Sequence, residues 1–280
     1  MRIKKLKNRV NPKLKNKKFK YEIETAEEDI RLPCLAMFCG ARGTGKSYNS
    51  IALAKHFEDQ KYITRTFLIS PTLQSNLMFK NLKTLDDLDC CESTENFELA
   101  LNQILERVHE DWEEYETEEM YTTIYKKARK GKELTVKEEK VLEENDMREP
   151  ELLKKPAHLL IIDDMQGTEL YKNGNKNDLL KSIGIRHRHI PLSIFFLLQS
   201  WHAMPRALRL NATHFAVFKT GDKKQIYQIW EHFGTLVPFQ EFMEMYKAAT
   251  ADPHGFLFID TVPKKEMYRF RKGYNEIFEK

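Results

Sequence analysis

The chain has few cysteines and no long apolar segment. Its four cysteines, Cys34, Cys39, Cys90 and Cys91, have neither the spacing of a zinc site nor that of a disulfide framework. We therefore expect reduced thiols in a cytosolic setting. No apolar run reaches the ~18 residues of a membrane span, and the N-terminus lacks the apolar stretch of a secretory signal. These absences predict a soluble protein that neither spans a membrane nor is secreted.

Charge is spread unevenly along the chain. The formal net charge is +4, but residues 1–20 hold ten lysines and arginines and no acidic residue. This composition predicts a basic, flexible arm over residues 1–28 and one domain over residues 29–280, for which 41% hydrophobic residues supply a core. Three roles stay open for the arm: binding to DNA phosphates, a nuclear localisation signal, or a solvated tail.

A complete phosphate-binding motif, G-x-x-x-x-G-K-S, occupies Gly40–Ser47. The apolar run Leu35–Cys39 before it has the length of a strand, and Ser50–Phe57 after it has helical spacing. A strand, a glycine-rich loop and a helix in this order are the context that the motif requires. The segment predicts a nucleoside triphosphate site formed by Gly40, Ala41, Arg42, Gly43, Thr44, Gly45, Lys46, Ser47 and Tyr48.

Each part of this motif has a chemical task. Glycines allow consecutive backbone N–H groups to surround a polyphosphate, and the N-terminus of the helix adds the positive end of its dipole. The Lys46 ammonium would reach the β- and γ-phosphates, and the Ser47 hydroxyl would be a ligand of Mg²⁺. We therefore expect ATP and Mg²⁺ at this site.

Further apolar runs of strand length alternate with helical segments. They are Thr66–Thr72, His158–Asp164, Ser193–Gln199, Phe215–Lys219 and Gly255–Asp260, with a helix from Asn177 to about His187. The predicted fold class is α/β: a P-loop NTPase with a mainly parallel central sheet flanked by helices. Residues about 101–155, rich in Glu and Lys, are predicted to be an inserted pair of charged helices with a turn at 130–132. This insertion is either a solvated hairpin or a docking surface for a partner of opposite charge.

Acidic and amide side chains end two of these strands. Since ligands of parallel sheets gather at the C-terminal edge, Asp163 is expected to hold Mg²⁺ through water opposite Ser47. Asp164 is expected to orient the attacking water, the alternatives being a surface carboxylate or a helix cap. Gln199 is expected to sense the γ-phosphate or the attacking water, and otherwise simply closes its strand.

A phosphoryl group in transfer needs positive charge beyond Lys46. An arginine finger from a neighbouring subunit is one common source. The candidates are Arg186, Arg188, Arg206 and Arg209, of which we assign Arg186 and Arg209 to catalysis. Because loop arginines are usually solvated or paired, the choice among the four stays open.

Two short matches to GTPase motifs are attributed to chance. Asp164–Gly167 fits D-x-x-G, and Asn175–Asp178 fits N-K-x-D. In GTPases the second motif follows its own buried strand, whereas here only residues 168–174 separate the two. ATP is therefore favoured over GTP.

Taken in order, these segments resemble the genome-packaging ATPases of nucleocytoplasmic large DNA viruses, which include the poxvirus type, and of virophages, in the FtsK–HerA superfamily. The resemblance covers about residues 30–100 and 156–270. Beyond the phosphate loop it is carried by Phe67–Thr72, His158–Asp164, Arg186–His187 with the strand ending at Gln199, Met204–Asn211 and Gly255–Asp260. The length of the insertion and the second arginine, Arg188, depart from the family pattern.

The resemblance implies a DNA-stimulated, Mg²⁺-dependent ATPase that drives double-stranded DNA into a preformed capsid. It also implies a homo-oligomeric ring, a pentamer or hexamer, with a capsid or portal-vertex protein as a further partner. The expected location is the host-cell cytoplasm, at the virus factory, or the virion. Two pairs that flank a loop beyond the fifth strand, Phe218–Lys219 and Lys223–Lys224, are candidates for lining the DNA path. The basic arm is then a candidate for docking to DNA or to the capsid.

Three other functions stay open. The first is a replication or conjugation ATPase that translocates DNA without a capsid. The second is a nucleoside or polynucleotide kinase, which would need an acceptor pocket and an arginine-rich lid, a role that Arg206–Arg209 could imitate. The third is a nucleotide-dependent scaffold without hydrolysis. The paired acids and Gln199 favour hydrolysis.

Overall fold

The structure of the protein is a computed structural model that describes residues 20–73, 76–92, 96–165, 178–234 and 236–278. Of Asp178 and Arg188 it describes only the backbone. Within these ranges the strands are β1 (Leu35–Cys39), β2 (Arg65–Ile69), β3 (Leu85–Cys91), β4 (His158–Ile162), β5 (Leu192–Leu198), β6 (His214–Phe218), β7 (Phe256–Asp260), β8 (Phe270–Lys272) and β9 (Glu276–Ile277). The helices are α1 (Lys46–Asp59), α2 (Phe97–Arg129), α3 (Val136–Glu144), α4 (Asp178–Arg186), α5 (Arg206–Asn211), α6 (Lys223–Phe233) and α7 (Phe239–Ala249).

All described strands join one sheet in the order β3-β2-β4-β5-β1-β6-β7-β8-β9. The first six in this order pair in parallel, and β7, β8 and β9 extend the sheet in antiparallel fashion. The C-terminal ends of the parallel strands therefore lie along one edge. β4 and β5 lie on one side of β1, and β6 to β9 lie on the other. This arrangement confirms the predicted α/β fold with a mainly parallel central sheet.

The central strands are almost entirely apolar, apart from His158 in β4 and Ser193 in β5, because helices cover both faces of the sheet. Every residue of β1, β4 and β5 is buried. Alternate residues of β1 point to opposite faces: Leu35 and Met37 join the core with α2 and α4 to α7, whereas Ala36 and Phe38 join the core with α1. The result is a three-layer domain with a separate apolar core on each face of the sheet.

Three strands, β3, β8 and β9, were not predicted. β3 forms one edge of the sheet and carries three aspartates, Asp86, Asp87 and Asp89. Acidic side chains suit an edge strand because they oppose pairing with another chain. β8 and β9 are three and two residues long, too short for a recognisable pattern.

The predicted charged helical pair is present as α2 and α3, but its first part belongs to the core. Phe97, Leu101, Ile104 and Val108 of α2 pack in the same apolar cluster as β1. Asp111 then accepts a bond from the buried His158 of β4, with 2.9 Å between Nε2 and Oδ2. The segment that leaves the domain therefore begins about one helical turn after Val108, later than residue 101.

The outer half of the hairpin formed by α2 and α3 is held together by contacts between these two helices. Tyr121, Ile124 and Leu142 form a cluster separate from the main cores. Glu118 is buried and accepts from the guanidinium of Arg148, with one N–O distance of 2.9 Å. A capping box at Thr135 starts α3. The hairpin is thus internally ordered by these contacts.

Residues 20–28, which the sequence assigned to the basic arm, contact the domain. Lys20 forms an ion pair with Glu116 at 2.6 Å, and the ring of Tyr21 meets that of Trp112 edge to face at 4.6 Å. Residues 1–19 of the predicted arm lie outside the described residues. In the part of the chain that the structure describes, no helix has both the length and the apolar character needed to cross a membrane.

Candidate nucleotide site

The phosphate loop, residues 40–45, joins the end of β1 to the start of α1. The Gly40 amide donates to the Leu198 carbonyl at 3.0 Å, which fixes the start of the loop to β5. Gly43 and Gly45 have φ of 79° and 93°, a left-handed conformation that glycine adopts without steric cost. The Thr44 hydroxyl donates to the Ala41 carbonyl at 2.8 Å. These bonds curl the loop over the N-terminus of α1, where Gly45 offers no side-chain cap to the helix amides.

Lys46 is held across this loop. Its Nζ donates to the Ala41 carbonyl at 2.8 Å. Burial lowers the pKa of Lys46, and the neighbouring Asp163 opposes that shift. Phosphate oxygens are stronger acceptors than a peptide carbonyl. The ammonium is therefore placed to move from Ala41 to a polyphosphate in the loop.

Ser47 and Asp163 come together from α1 and the end of β4. The Ser47 hydroxyl donates to Oδ2 of Asp163 at 3.2 Å. Burial raises the pKa of Asp163 to about 6, against the effect of the Ser47 hydrogen bond and with a further contribution from Asp164. A low-polarity environment disfavours an isolated carboxylate, and a nearby cation would restore its charged form.

The donor set at this point fits Mg²⁺. A hydroxyl and a carboxylate are hard oxygen ligands, and Mg²⁺ typically takes one or two protein oxygens and completes its shell with phosphate and water. Among the described residues there is no cluster of three or more His, Cys, Asp or Glu side chains that could hold a metal alone. Ser47 and Asp163 would therefore hold the ion together with the nucleotide.

Asp164 and Gln199 meet at the ends of adjacent strands. The Gln199 amide Nε2 donates to Oδ1 of Asp164 at 2.9 Å. Asp164 has φ of 51°, a conformation that aspartate tolerates better than most residues. Both predicted catalytic side chains thus lie beside the Ser47–Asp163 pair, at the C-terminal edge of the sheet.

A cleft of ≈ 1110 Å³ joins these groups. The predicted site residues that line it are Arg42, Gly43, Gly45, Lys46, Ser47, Tyr48, Asp163, Asp164 and Gln199. Gly40, Ala41 and Thr44 belong to the loop but do not line the cleft. Its lining comes from strand ends on both sides of β1, those of β4 and β5 on one side and β7 and β8 on the other.

Of the candidate finger arginines whose side chains the structure describes, none lines this cleft. Arg209 of α5 donates to the Trp201 carbonyl at 3.1 Å, and its guanidinium lies 5.4 Å from the centre of the Trp201 ring. Arg186, at the end of α4, and Arg206 are exposed. The side chain of Arg188 lies outside the described residues.

Several residues of the cleft were missed by the sequence argument. Thr72, Asn76 and Met78 follow β2, and residues 252–255 connect α7 to β7. Only the turn-forming run Asp252-Pro253-His254-Gly255 had a recognisable signal, that of a tight turn. Of the two GTPase-like matches, Gln166, Gly167 and residues 175–177 lie outside the described residues.

Among known proteins, the chain is similar in fold to several solved structures. No family model matches the chain, and no curated protein matches it in sequence. B204, the DNA-packaging ATPase of Sulfolobus turreted icosahedral virus, superposes with a TM-score of 0.50 at 13% identity, covering 82% of this chain and 93% of that chain.

Two further solved structures match less closely. B204 of Sulfolobus turreted icosahedral virus 2, a genome-packaging NTPase, has a TM-score of 0.48 at 13% identity over 81% of this chain and 91% of that chain. The conjugation coupling protein TcpA of pCW3 has a TM-score of 0.45 at 11% identity over 85% and 61%. The chain thus has the fold of a P-loop ATPase, and a viral genome-packaging ATPase is among its structural neighbours.

Proposed function

We propose that this protein is an ATP-hydrolysing motor that translocates double-stranded DNA into a preformed viral capsid. The observation that carries the hydrolase part is the meeting of Ser47 with Asp163, 3.2 Å apart, beside the Gln199–Asp164 contact. A phosphate loop, a cation site and a carboxylate for the attacking water then share one edge of the sheet. That set is what nucleotide hydrolysis requires.

Each group of residues in this site has a separate role in the proposed reaction. The loop amides and Lys46 bind the β- and γ-phosphates. Ser47 and, through water, Asp163 would hold Mg²⁺, which would supply positive charge at the phosphates. Asp164 accepts a hydrogen bond from the attacking water and thereby orients it. Gln199 donates to Asp164, so it holds that carboxylate in the cleft. Contact between Gln199 and the γ-phosphate would couple the carboxylate position to the presence of ATP.

An arginine from a second subunit completes the site in this proposal. The candidates on α4 and α5 do not line the cleft of their own chain, and Arg186 and Arg206 are exposed. Hydrophobic residues beside them, Ile185 and Leu210, are 53% and 60% exposed, which suits a surface covered by a neighbour. A homo-oligomeric ring would bring this surface to the adjacent nucleotide cleft.

The DNA and capsid part rests on the resemblance in sequence. The matching order of motifs is that of packaging ATPases, and B204 shares the fold. The ten cations of residues 1–20 supply affinity for the DNA backbone independent of sequence. Neutralising even half that number of phosphates makes binding fall steeply with salt.

Steady-state ATP hydrolysis with and without long duplex DNA, at two salt concentrations, tests the proposal. We expect Mg²⁺-dependent phosphate release that duplex DNA stimulates more strongly at the lower salt concentration. Lys46→Ala is the matched blank for contaminating activity. A rate of ATP hydrolysis that does not change when DNA is added would contradict a DNA motor.

Two added substrates separate the alternatives. Preference for single-stranded over duplex DNA would favour a replication or conjugation motor. Transfer of phosphate to an added nucleoside would favour a kinase and overturn the hydrolase. ATP binding without any turnover would favour a scaffold.

A further inference from the structure

The cleft continues past the phosphate loop on the side away from the catalytic carboxylates. Asp163 and Gln199 lie at the ends of β4 and β5, to one side of β1 in the sheet. The opposite lobe is lined by Tyr48 and Asn49 of α1, by residues 252–255 between α7 and β7, and by the β8–β9 hairpin. β7, β8 and β9 lie on the other side of β1, beyond β6. The cleft therefore has a catalytic lobe and a second lobe, with the phosphate loop between them.

The position of the terminal phosphates determines what the second lobe can hold. Lys46 and the Ser47–Asp163 pair fix the β- and γ-phosphates at the loop and beside the catalytic lobe. The rest of a nucleoside triphosphate must leave in the other direction, past the first turn of α1. The second lobe is the part of the cleft that lies in that direction.

Two ring side chains flank this lobe. Tyr48, on the first turn of α1, is 65% exposed. His254 has φ of 63°, a left-handed conformation that is uncommon outside glycine but enriched for histidine. Its Cβ lies so close to the loop that a β-carbon built on Gly45 would meet it at 2.9 Å. The side chain of His254 therefore begins directly beside the phosphate loop.

The same lobe holds a fixed carboxylate. Lys272 of β8 forms an ion pair with Asp252 at 2.9 Å and lies 3.9 Å from Glu276. A bare carboxylate near a triphosphate would repel it, and the lysine offsets that repulsion. The hairpin itself is fixed to α1, because the Tyr274 hydroxyl donates to the Asn49 carbonyl at 2.7 Å. Asp252 is thus an acceptor held at the rim of the lobe, suited to sugar hydroxyl groups.

We infer that this lobe binds the nucleoside part of the nucleotide: His254 and Tyr48 stack on the base, and Asp252, held by Lys272, accepts hydrogen bonds from the ribose hydroxyl groups. The inference rests on the proposed nucleotide site and assigns its second half. The antiparallel extension β7 to β9 then has a role in nucleotide recognition, separate from the catalytic edge. Because stacking uses the face of the base, it tolerates different bases.

Affinities for ATP and for inorganic tripolyphosphate, each measured with Mg²⁺, separate the contribution of the second lobe from that of the phosphate loop, because tripolyphosphate has no nucleoside. We expect His254→Ala and Tyr48→Ala each to weaken ATP binding by roughly 5- to 150-fold, the range found for base–aromatic stacking. Tripolyphosphate affinity should stay at the wild-type value, which also reports that the variants fold. His109→Ala, which removes an exposed ring of α2 that does not line the cleft, is the matched control and should change neither affinity.

The contact between Asp252 and the ribose is tested with a nucleotide that lacks both ribose hydroxyl groups. Wild-type protein should bind 2′,3′-dideoxy-ATP more weakly than ATP, and Asp252→Ala should remove that difference. Unchanged ATP affinity in both ring variants would overturn the inference and leave the nucleotide site standing. Equal loss of ATP and tripolyphosphate affinity would also overturn it, because it would locate the effect in the phosphate loop. A wild-type chain that binds neither ligand would refute the proposed function itself.

Discussion

Gly40→Ala is expected to destabilise the fold and slow hydrolysis together, because β1 and β6 lie side by side where the phosphate loop begins. A β-carbon at residue 40 would lie 2.6 Å from Cβ of Phe218 and 2.7 Å from Oγ1 of Thr44. Ordinary contact begins at 3.4 Å, so the Phe218 contact must open by 3.4 − 2.6 = 0.8 Å. Thr44 can rotate its hydroxyl away, but the Cβ of Phe218 moves only with the backbone of β6.

The surroundings of Phe218 resist that movement. Its side chain is fully buried, and its carbonyl accepts a bond from the Tyr246 hydroxyl at 3.1 Å. Overpacking of this kind costs about 1–3 kcal/mol, which lowers Tm by roughly 2–12 °C for a chain of this size. A displacement near 1 Å at a catalytic loop can reduce turnover by about 10²-fold.

Thermal unfolding by circular dichroism and steady-state phosphate release measure the two effects. Gly221→Ala is the matched control, since its β-carbon meets open space and its backbone is not left-handed. It should keep the Tm and turnover of the wild type. A Gly40→Ala protein with wild-type Tm and turnover would refute the steric argument.

Three further substitutions address the carboxylates and the lysine. Lys46→Ala should abolish phosphate release while far-UV circular dichroism stays unchanged, because no core volume is lost; residual turnover would show another source of activity. Asp164→Asn should retain bound ATP with little release of product, and normal turnover would remove Asp164 from catalysis. Asp163→Asn should raise Tm at pH 7.5 in Mg²⁺-free buffer, since burial raises the pKa of Asp163 to about 6 from about 3.9 in an unfolded chain. Ionised Asp163 therefore costs stability above pH 6, and the gain in the Asn variant should vanish as the pH falls to 4; a gain independent of pH would contradict this origin.

The polar groups at the C-terminal edge of the sheet were predictable because their signals are local. Apolar runs identify strands that are buried on both faces, and a polar residue at the end of such a run falls at the edge where ligands bind. Asp163, Asp164 and Gln199 were found in this way, and the structure brings them together beside Ser47. The contact of Gln199 with Asp164 could not be read from sequence, since it depends on β4 and β5 being neighbours.

The parts of the fold that were not predicted have no recognisable residue pattern. β3 mixes three aspartates with apolar residues at the sheet edge, so it forms no apolar run. β8 and β9 are held by pairing rather than by propensity. The start of α2 reads as part of a charged helix, although one face of it packs in the core. The second lobe of the cleft joins segments about 200 residues apart, a proximity that only the tertiary structure supplies.

The continuity of α2 has a mechanical consequence. Its 33 residues form one helix about 50 Å long. The first part packs in the core, and Asp111, just short of the midpoint, bonds to His158 at the opposite end of the strand that leads to Asp163. The 18 residues beyond Asp111 extend about 27 Å, so a tilt of about 5° at that contact would move the end of the helix by about 2 Å. A load on the tip of the hairpin would therefore reach the candidate nucleotide site through the packed part of α2 and through β4.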